Sequence, residues 1–184
     1  TKNVVAMQGR FHFYEGYDMK QVTFPVRVMK YLGVTKLVVS NASGGVNPNY
    51  KVGSIVIIKD HINMMPEHPL HGKNDERFGP RFVNMSEPYS KAMMAKAKSL
   101  AAENNVTVHD KMVKILGADC VGMSTVPAVI VARHREMDCF GLSVITDMGD
   151  EENIEEVNHA EVLKAAQKAE PHIRLLIREL IKNY

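Results

Sequence analysis

Residue patterns along the 184-residue chain predict an α/β domain. Three observations carry that prediction. Short apolar, β-branched runs at 36–40, 54–59 and 139–145 have the length and composition of buried strands. Residues 19–32, 87–104 and the stretch from Asn158 to the C-terminus read as helices, by apolar spacing or by helix-forming composition. Four predicted strands end in polar groups, at Arg10/His12/Tyr14, Asn41/Ala42, Met123/Ser124 and Thr146/Asp147. Ligands gather at such strand ends in open α/β sheets.

Taken in order, Val4-Val5-Ala6 reads as a first buried strand. If the extended conformation continues past Gly9, Arg10, His12 and Tyr14 form a column about 7 Å apart on one face, rooted by Phe11 and Phe13 on the other. A guanidinium fork beside a titratable imidazole suits an oxyanion. Taken alone, the same residues also fit a solvated strand end. The helix over 19–32 accommodates Pro25 if it begins near Phe24, and Gly33 supplies its stop. Strand, helix and strand within about 40 residues make a right-handed βαβ unit.

Asn41-Ala42-Ser43-Gly44-Gly45 follows the second strand as a loop in which the backbone can approach an anion, or as a simple tight turn. It is not a dinucleotide fingerprint, because no G-x-G-x-x-G is present. Residues 64–85 form a long irregular connection, the mark of a lid, a binding loop or a subunit contact. Its His68 and His71, with His61, lack the carboxylate or cysteine that would complete a metal-ligand spacing. Helix 87–104 carries a proline in its first turn, and 106–108 is a short strand. From Ile115 a buried strand leads to Met123-Ser124-Thr125, where Thr125 is the candidate cap and Pro127 opens a helix. The strand at 139–145 ends in Thr146-Asp147, and His159 lies in the first turn of the last helix.

Composition narrows the function. Hydrophobic residues make up 45% of the chain and charged residues 24%, as in a globular domain. A net charge of +2 gives no electrostatic footprint for nucleic acid or an anionic membrane. Cys120 and Cys139 sit in apolar runs as buried free thiols, and no apolar stretch approaches the ~20 residues of a membrane span. These features imply a cytoplasmic protein. The chain opens on Thr1 directly before an apolar run, which implies a piece of a longer protein.

Five motifs then converge. Met7-Gln8-Gly9-Arg10-Phe11-His12 with Tyr14-Glu15-Gly16-Tyr17, Asn41-Ala42-Ser43-Gly44-Gly45, Asp60-His61-Ile62-Asn63, Asn74-Asp75-Glu76-Arg77-Phe78-Gly79, and Gly117-Ala118-Asp119 through Met123-Ser124-Thr125-Val126-Pro127 occur in one order. Over almost its whole length the sequence resembles the trimeric purine nucleoside phosphorylases. The resemblance implies a single α/β domain over 1–184, with a mixed central sheet flanked by helices. It implies phosphorolysis of purine nucleosides to free purine and ribose 1-phosphate in purine salvage, with no metal and no organic cofactor, in a homotrimer. Carried over position by position, Arg10, His12, the Ala42 amide and Ser124 hold phosphate. Tyr14 and Met123 line the ribose, and His159 meets the 5′-hydroxyl. Phe82 reaches into the neighbouring subunit's site, and Asp147 reads the purine. His12 and Asp147 are the implied catalytic pair.

The sequence departs from the family pattern in two places. The family's N-terminal Gly-Ser-Gly loop and second phosphate-binding histidine have no counterpart, and Lys114 stands where a longer segment near 113–115 carries a purine-binding glutamate. Missing segments are the favoured reading. A true truncation implies an inactive nucleoside- or phosphate-binding protein instead. Asp147, where the 6-oxopurine enzymes typically have Asn, also keeps methylthioadenosine phosphorolysis open, although His159 suits a free 5′-hydroxyl better. A protonated Asp147 donates to N7, whereas an ionised one accepts from a 6-amino group and widens tolerance for adenosine.

Overall fold

The computed structural model describes residues 2–110, 118–149 and 159–184. Its strands are β1 (Lys36–Gly45), β2 (Ile55–Ile58), β3 (Val108–His109), β4 (Cys120–Val121) and β5 (Asp138–Met148), and its helices are α1 (Met19–Tyr31), α2 (Lys91–Glu103), α3 (Thr125–His134) and α4 (His159–Lys182). The strands form one sheet in the order β3-β2-β5-β1-β4. β5 runs parallel to β1 and antiparallel to β2, so the sheet is mixed, as expected.

β5 is central because nearly all of it is apolar. Residues 139–146 are all buried, which requires cover on both faces. On one face Ile55, Ile57, Phe140 and Leu142 pack with Met93 and Leu100 of α2 and Leu176 and Leu180 of α4. On the other, Leu37, Val39 and Cys139 pack with Val26 of α1 and Val129 and Val131 of α3. Parallel pairing runs in step from Lys36 opposite Asp138 to Ser43 opposite Ile145. It then slips by one, with Gly44 opposite Asp147 and Gly45 opposite Met148, so Thr146 has no opposite number.

Several boundaries differ from the sequence reading. Val4-Val5-Ala6 is not a strand; Val4 and Val5 are exposed, and the segment lines a groove with Val22, Met29, Val38 and Ile181. Three consecutive apolar residues carry no period that distinguishes a strand from an irregular apolar segment. The column expected from Arg10 to Tyr14 ends at His12, because Phe13–Glu15 folds into a 3-10 turn closed by a reciprocal bond between His12 and Glu15. α1 begins at Met19 rather than near Phe24. Asp18 accepts from the Gln21 amide and the Gln21 side chain returns to the Asp18 amide, a capping box that fixes the start despite Pro25 in the helix interior. α2 begins after the cap Ser90, later than expected, because Pro88 and Tyr89 are buried in front of it.

Asn41 to Gly45 belongs to β1 rather than to a loop. A methyl group on Gly44 would stand 2.9 Å from an Asp147 carboxylate oxygen, so a side chain at 44 would displace that carboxylate. The helix stop at Gly33 is as predicted, the strands expected at 54–59 and 139–145 appear as β2 and within the longer β5, and the one expected at 106–108 appears as β3 at 108–109. The segment around Lys114 and the start of the strand expected from Ile115 lie outside the described residues, as does Asn158. Cys139 is fully buried, whereas Cys120 is only half-buried. Among the described residues no helix is long and apolar enough to cross a membrane.

Candidate active site

Arg10 organises one end of the sheet. Its Nη2 donates to the Ser40 carbonyl at 2.7 Å and its Nη1 to Ser124 Oγ at 3.2 Å. The guanidinium therefore bridges the middle of β1 and the N-terminus of α3. Burial lowers its pKa from the usual value, and it remains a cation. Ala42 lies two residues beyond Ser40 on the same strand, so its N–H points off the strand edge that Arg10 faces.

Thr125 is not the cap of α3. Ser124 occupies that position, and its side chain makes no capping bond; it accepts from Arg10 instead. The first-turn amides of α3 thus keep their positive end toward the guanidinium, which favours an anion between them. Three of the four residues expected to hold phosphate (Arg10, Ala42 and Ser124) converge here.

The fourth, His12, stands beside this group without direct contact to Arg10 or Ser124 among the described residues. Its Nδ1 lies 3.1 Å from Glu15 Oε2, and its ring stacks on Tyr14 with centroids 5.0 Å apart. The Glu15 carboxylate is held below its usual range, chiefly by the His12 backbone amide and then by the imidazole. This contact at Nδ1 leaves Nε2 as the atom that can face an anion. Tyr14 projects from the 3-10 turn and is 65% exposed.

At the far end of β5, Asp147 Oδ1 accepts from Thr146 Oγ1 at 2.9 Å while Oδ2 lies over Gly44. Between the two ends, Ser143 Oγ donates to Asn41 Oδ1 at 2.6 Å. A methyl on Gly122 would come within 2.6 Å of Asn41 Nδ2, so the chain leading to Met123 lies directly against Asn41. Asp119 anchors that segment. Its carboxylate accepts from Asn47 Nδ2 at 2.9 Å, and its carbonyl from the Val46 amide at 2.9 Å.

Asn41, Ser143 and Asp119 escaped the sequence reading as functional positions. The signal for Asn41 and Asp119 was present, since both stand in quoted motifs. Met123 is exposed at the cradle's rim. Phe82 is 86% exposed. The His159 side chain lies outside the described residues.

A basic side chain stands between a strand carbonyl and a helix N-terminus on a mixed α/β sheet, an arrangement that suits an anion, and a carboxylate lies further along the same sheet. The family model described as the phosphorylase superfamily matches residues 1–113 and 109–182. A purine nucleoside phosphorylase of Mus musculus is 47% identical over 203 residues, covering 97% of this chain and 70% of the relative. The solved structure of Schistosoma mansoni purine nucleoside phosphorylase with inosine superposes with a TM-score of 0.88 at 39% identity, covering 97% of this chain and 71% of that one. The same enzyme solved with adenosine gives 0.87 at 39% identity, covering 95% and 71%. The chain belongs to the phosphorylase superfamily and, within it, to the purine nucleoside phosphorylases.

Proposed function

We propose that the protein is a pentosyltransferase that cleaves purine ribonucleosides and deoxyribonucleosides with inorganic phosphate in purine salvage. The observation that carries this reading is Arg10, fixed between the Ser40 carbonyl and Ser124 Oγ at the N-terminus of α3. A phosphate oxygen attacks C1′, the bond from C1′ to N9 breaks, and its electron pair leaves on the purine, which then takes up a proton. Positive charge builds on the sugar and negative charge on the base. A phosphate dianion fixed beneath the sugar stabilises the first, and a donor at the purine edge the second. Arg10, His12, the Ala42 amide and Ser124 hold the phosphate. Tyr14, Met123 and His159 shape the ribose site, and Asp147 meets the base.

Phosphate is a substrate here, and the reaction needs no metal or organic cofactor. The working unit is a cytoplasmic homotrimer in which Phe82 of one copy closes the sugar site of the next. Its 86% exposure on a long connection supports that role. Asp147 supports a base range that includes adenosine beside inosine and guanosine. The test is phosphate-dependent release of hypoxanthine from inosine, with methylthioadenosine as the competing substrate. In His12→Ala, turnover falls and the apparent phosphate constant rises about tenfold or more, the worth of a charge-assisted contact. Unchanged phosphate dependence in the folded variant removes His12 from the site. Faster cleavage of methylthioadenosine than of inosine reassigns the substrate.

A further inference from the structure

The connection between β2 and α2 is irregular, yet the part before Phe82 is held at many points. Gly79 packs so tightly on the end of α3 that a methyl group there would stand 2.2 Å from the His134 carbonyl, and its φ of +138° also favours glycine. His134 Nε2 lies 3.0 Å from the Pro80 carbonyl, and Arg135 Nη1 donates to the Arg77 carbonyl. Asn74 Nδ2 donates to the Gly79 carbonyl at 3.1 Å, and Arg81 Nη1 to the Gly72 carbonyl at 2.7 Å.

Phe78 is the pin of this bracket. The Arg27 guanidinium lies 4.9 Å from its ring centre, Arg135 lies 5.7 Å away, and Tyr31 meets it edge-on at 6.1 Å. Asp75, whose two oxygens are engaged by Arg77, also lies close enough to favour the Arg27 cation, which partly offsets the repulsion between Arg27 and Arg135 over the ring. The very next residue after this fixed run is the exposed Phe82. At its other end, about 15 Å away along ten residues, α3 carries Ser124 of the phosphate cradle.

We propose that the C-terminal end of α3, where His134 and Arg135 close on Phe78 and Gly79, is a positioning device that presents Phe82 to the sugar site of a neighbouring copy. This rests on the trimer reading above, and it deepens that reading by naming what aims the donated residue. Arg135 and His134 touch no substrate. They act through the 74–82 segment, and their loss is felt in a neighbour's site rather than in their own. Arg135 at a helix C-terminus also complements the helix dipole, a purely local role that would affect stability and not donation.

The test is complementation in the full-length protein, with two differently tagged chains co-expressed. An Arg10→Ala chain has a disabled cradle but an intact bracket; an Arg135→Met chain has the reverse defect. Arg135→Met alone should raise the nucleoside KM roughly tenfold, the effect of losing an aromatic contact, with the phosphate KM within about twofold of wild type. Random assortment into trimers places an intact cradle beside an intact donor in about a quarter of sites, so with nucleoside held well below the wild-type KM the mixture should recover about a quarter of wild-type activity, against about a twentieth if the two defects do not complement. Phe82→Ala mixed with Arg10→Ala is the control for the underlying reading.

Recovery in the control without recovery in the Arg135→Met mixture overturns the bracket and leaves the trimer reading standing. Failure of both mixtures removes the donation of Phe82, and the bracket's purpose with it. An unchanged nucleoside KM in Arg135→Met also overturns the proposal. Should Arg135→Met not fold, Arg135→Lys keeps the donor and charge but loses the flat stack, and the same mixture decides with it.

Discussion

Ser124→Ala separates the cradle from the fold. A serine at a helix cap ordinarily stabilises the helix by about 1 kcal/mol, because its oxygen accepts from an amide in the first turn. In α3 that bond is absent, and the oxygen accepts from Arg10 at 3.2 Å instead. Arg10 retains its 2.7 Å bond to the Ser40 carbonyl after the substitution, so no buried charge is orphaned. The variant should therefore melt within about 2 °C of wild type, since a full cap's worth would shift a domain of this size by about 2–4 °C.

Phosphate binding should suffer much more. A hydroxyl that donates to a phosphate oxygen contributes about 1.5–3 kcal/mol, or roughly 10- to 160-fold in the phosphate constant. The assay is initial-rate kinetics with phosphate varied at saturating inosine, alongside a melting curve of each protein. A phosphate KM within twofold of wild type would falsify the placement of Ser124 in the cradle. A melting temperature lower by more than about 2 °C would show that the hydroxyl caps α3 after all.

Asp147→Asn exchanges an acceptor for a side chain that can also donate. The ratio of inosine to adenosine kcat/KM should rise about twofold to tenfold, the range of one ordinary hydrogen bond. An unchanged ratio with an unchanged pH profile means that Asp147 does not read the base. Stability should fall in mild acid. Burial pushes both His61 and His134 below the ordinary imidazole value of 6.5, so near that pH the unfolded chain binds protons that the native chain does not. Their contribution is complete above about pH 6.5, declines as pH drops through that value, and levels off below the depressed native values. Urea midpoints at about pH 7.5 and 5.5 measure it; the drop should be shallower in His134→Gln, and equal drops would contradict the assignment.

Local signals account for what the sequence revealed. The strand runs at 36–40, 54–59 and 139–145 are apolar for long enough to declare themselves, and Gly33 ends α1 where its pattern ends. Arg10, Ala42 and Ser124 were named because each stands inside a recognisable motif, and the structure brings Arg10 to Ser124 and to the strand that carries Ala42. What stayed hidden depends on partners distant in sequence. Nothing near Arg27 announces that it will lie over Phe78, or that Arg135 will join them, because such contacts have no period. Val4-Val5-Ala6 failed for the opposite reason, as a local pattern too short to distinguish a strand from an apolar groove lining. Asn41 to Gly45 looked like a loop because glycine and small polar residues mark turns. Here the glycines lie within a strand and leave room for the Asp147 carboxylate and the Met148 side chain of its neighbour.

The slip of register between β1 and β5 makes the Asp147 end of the sheet sensitive to length as well as to composition. Side chains alternate along a strand, so one surplus residue reverses the phase of everything beyond it. Thr146 is that surplus, and it lies between the buried Ile145 and the carboxylate over Gly44. Removing it would leave Gly44 opposite Asp147 in an even ladder, whereas adding a second residue there would carry Asp147 past Gly44. Exchanging the residues at 146 and 147 changes the chemistry at this end of the sheet and keeps the pairing, whereas an insertion moves the pairing itself. Substitution there alters the lettering, and only a change in length alters the ladder.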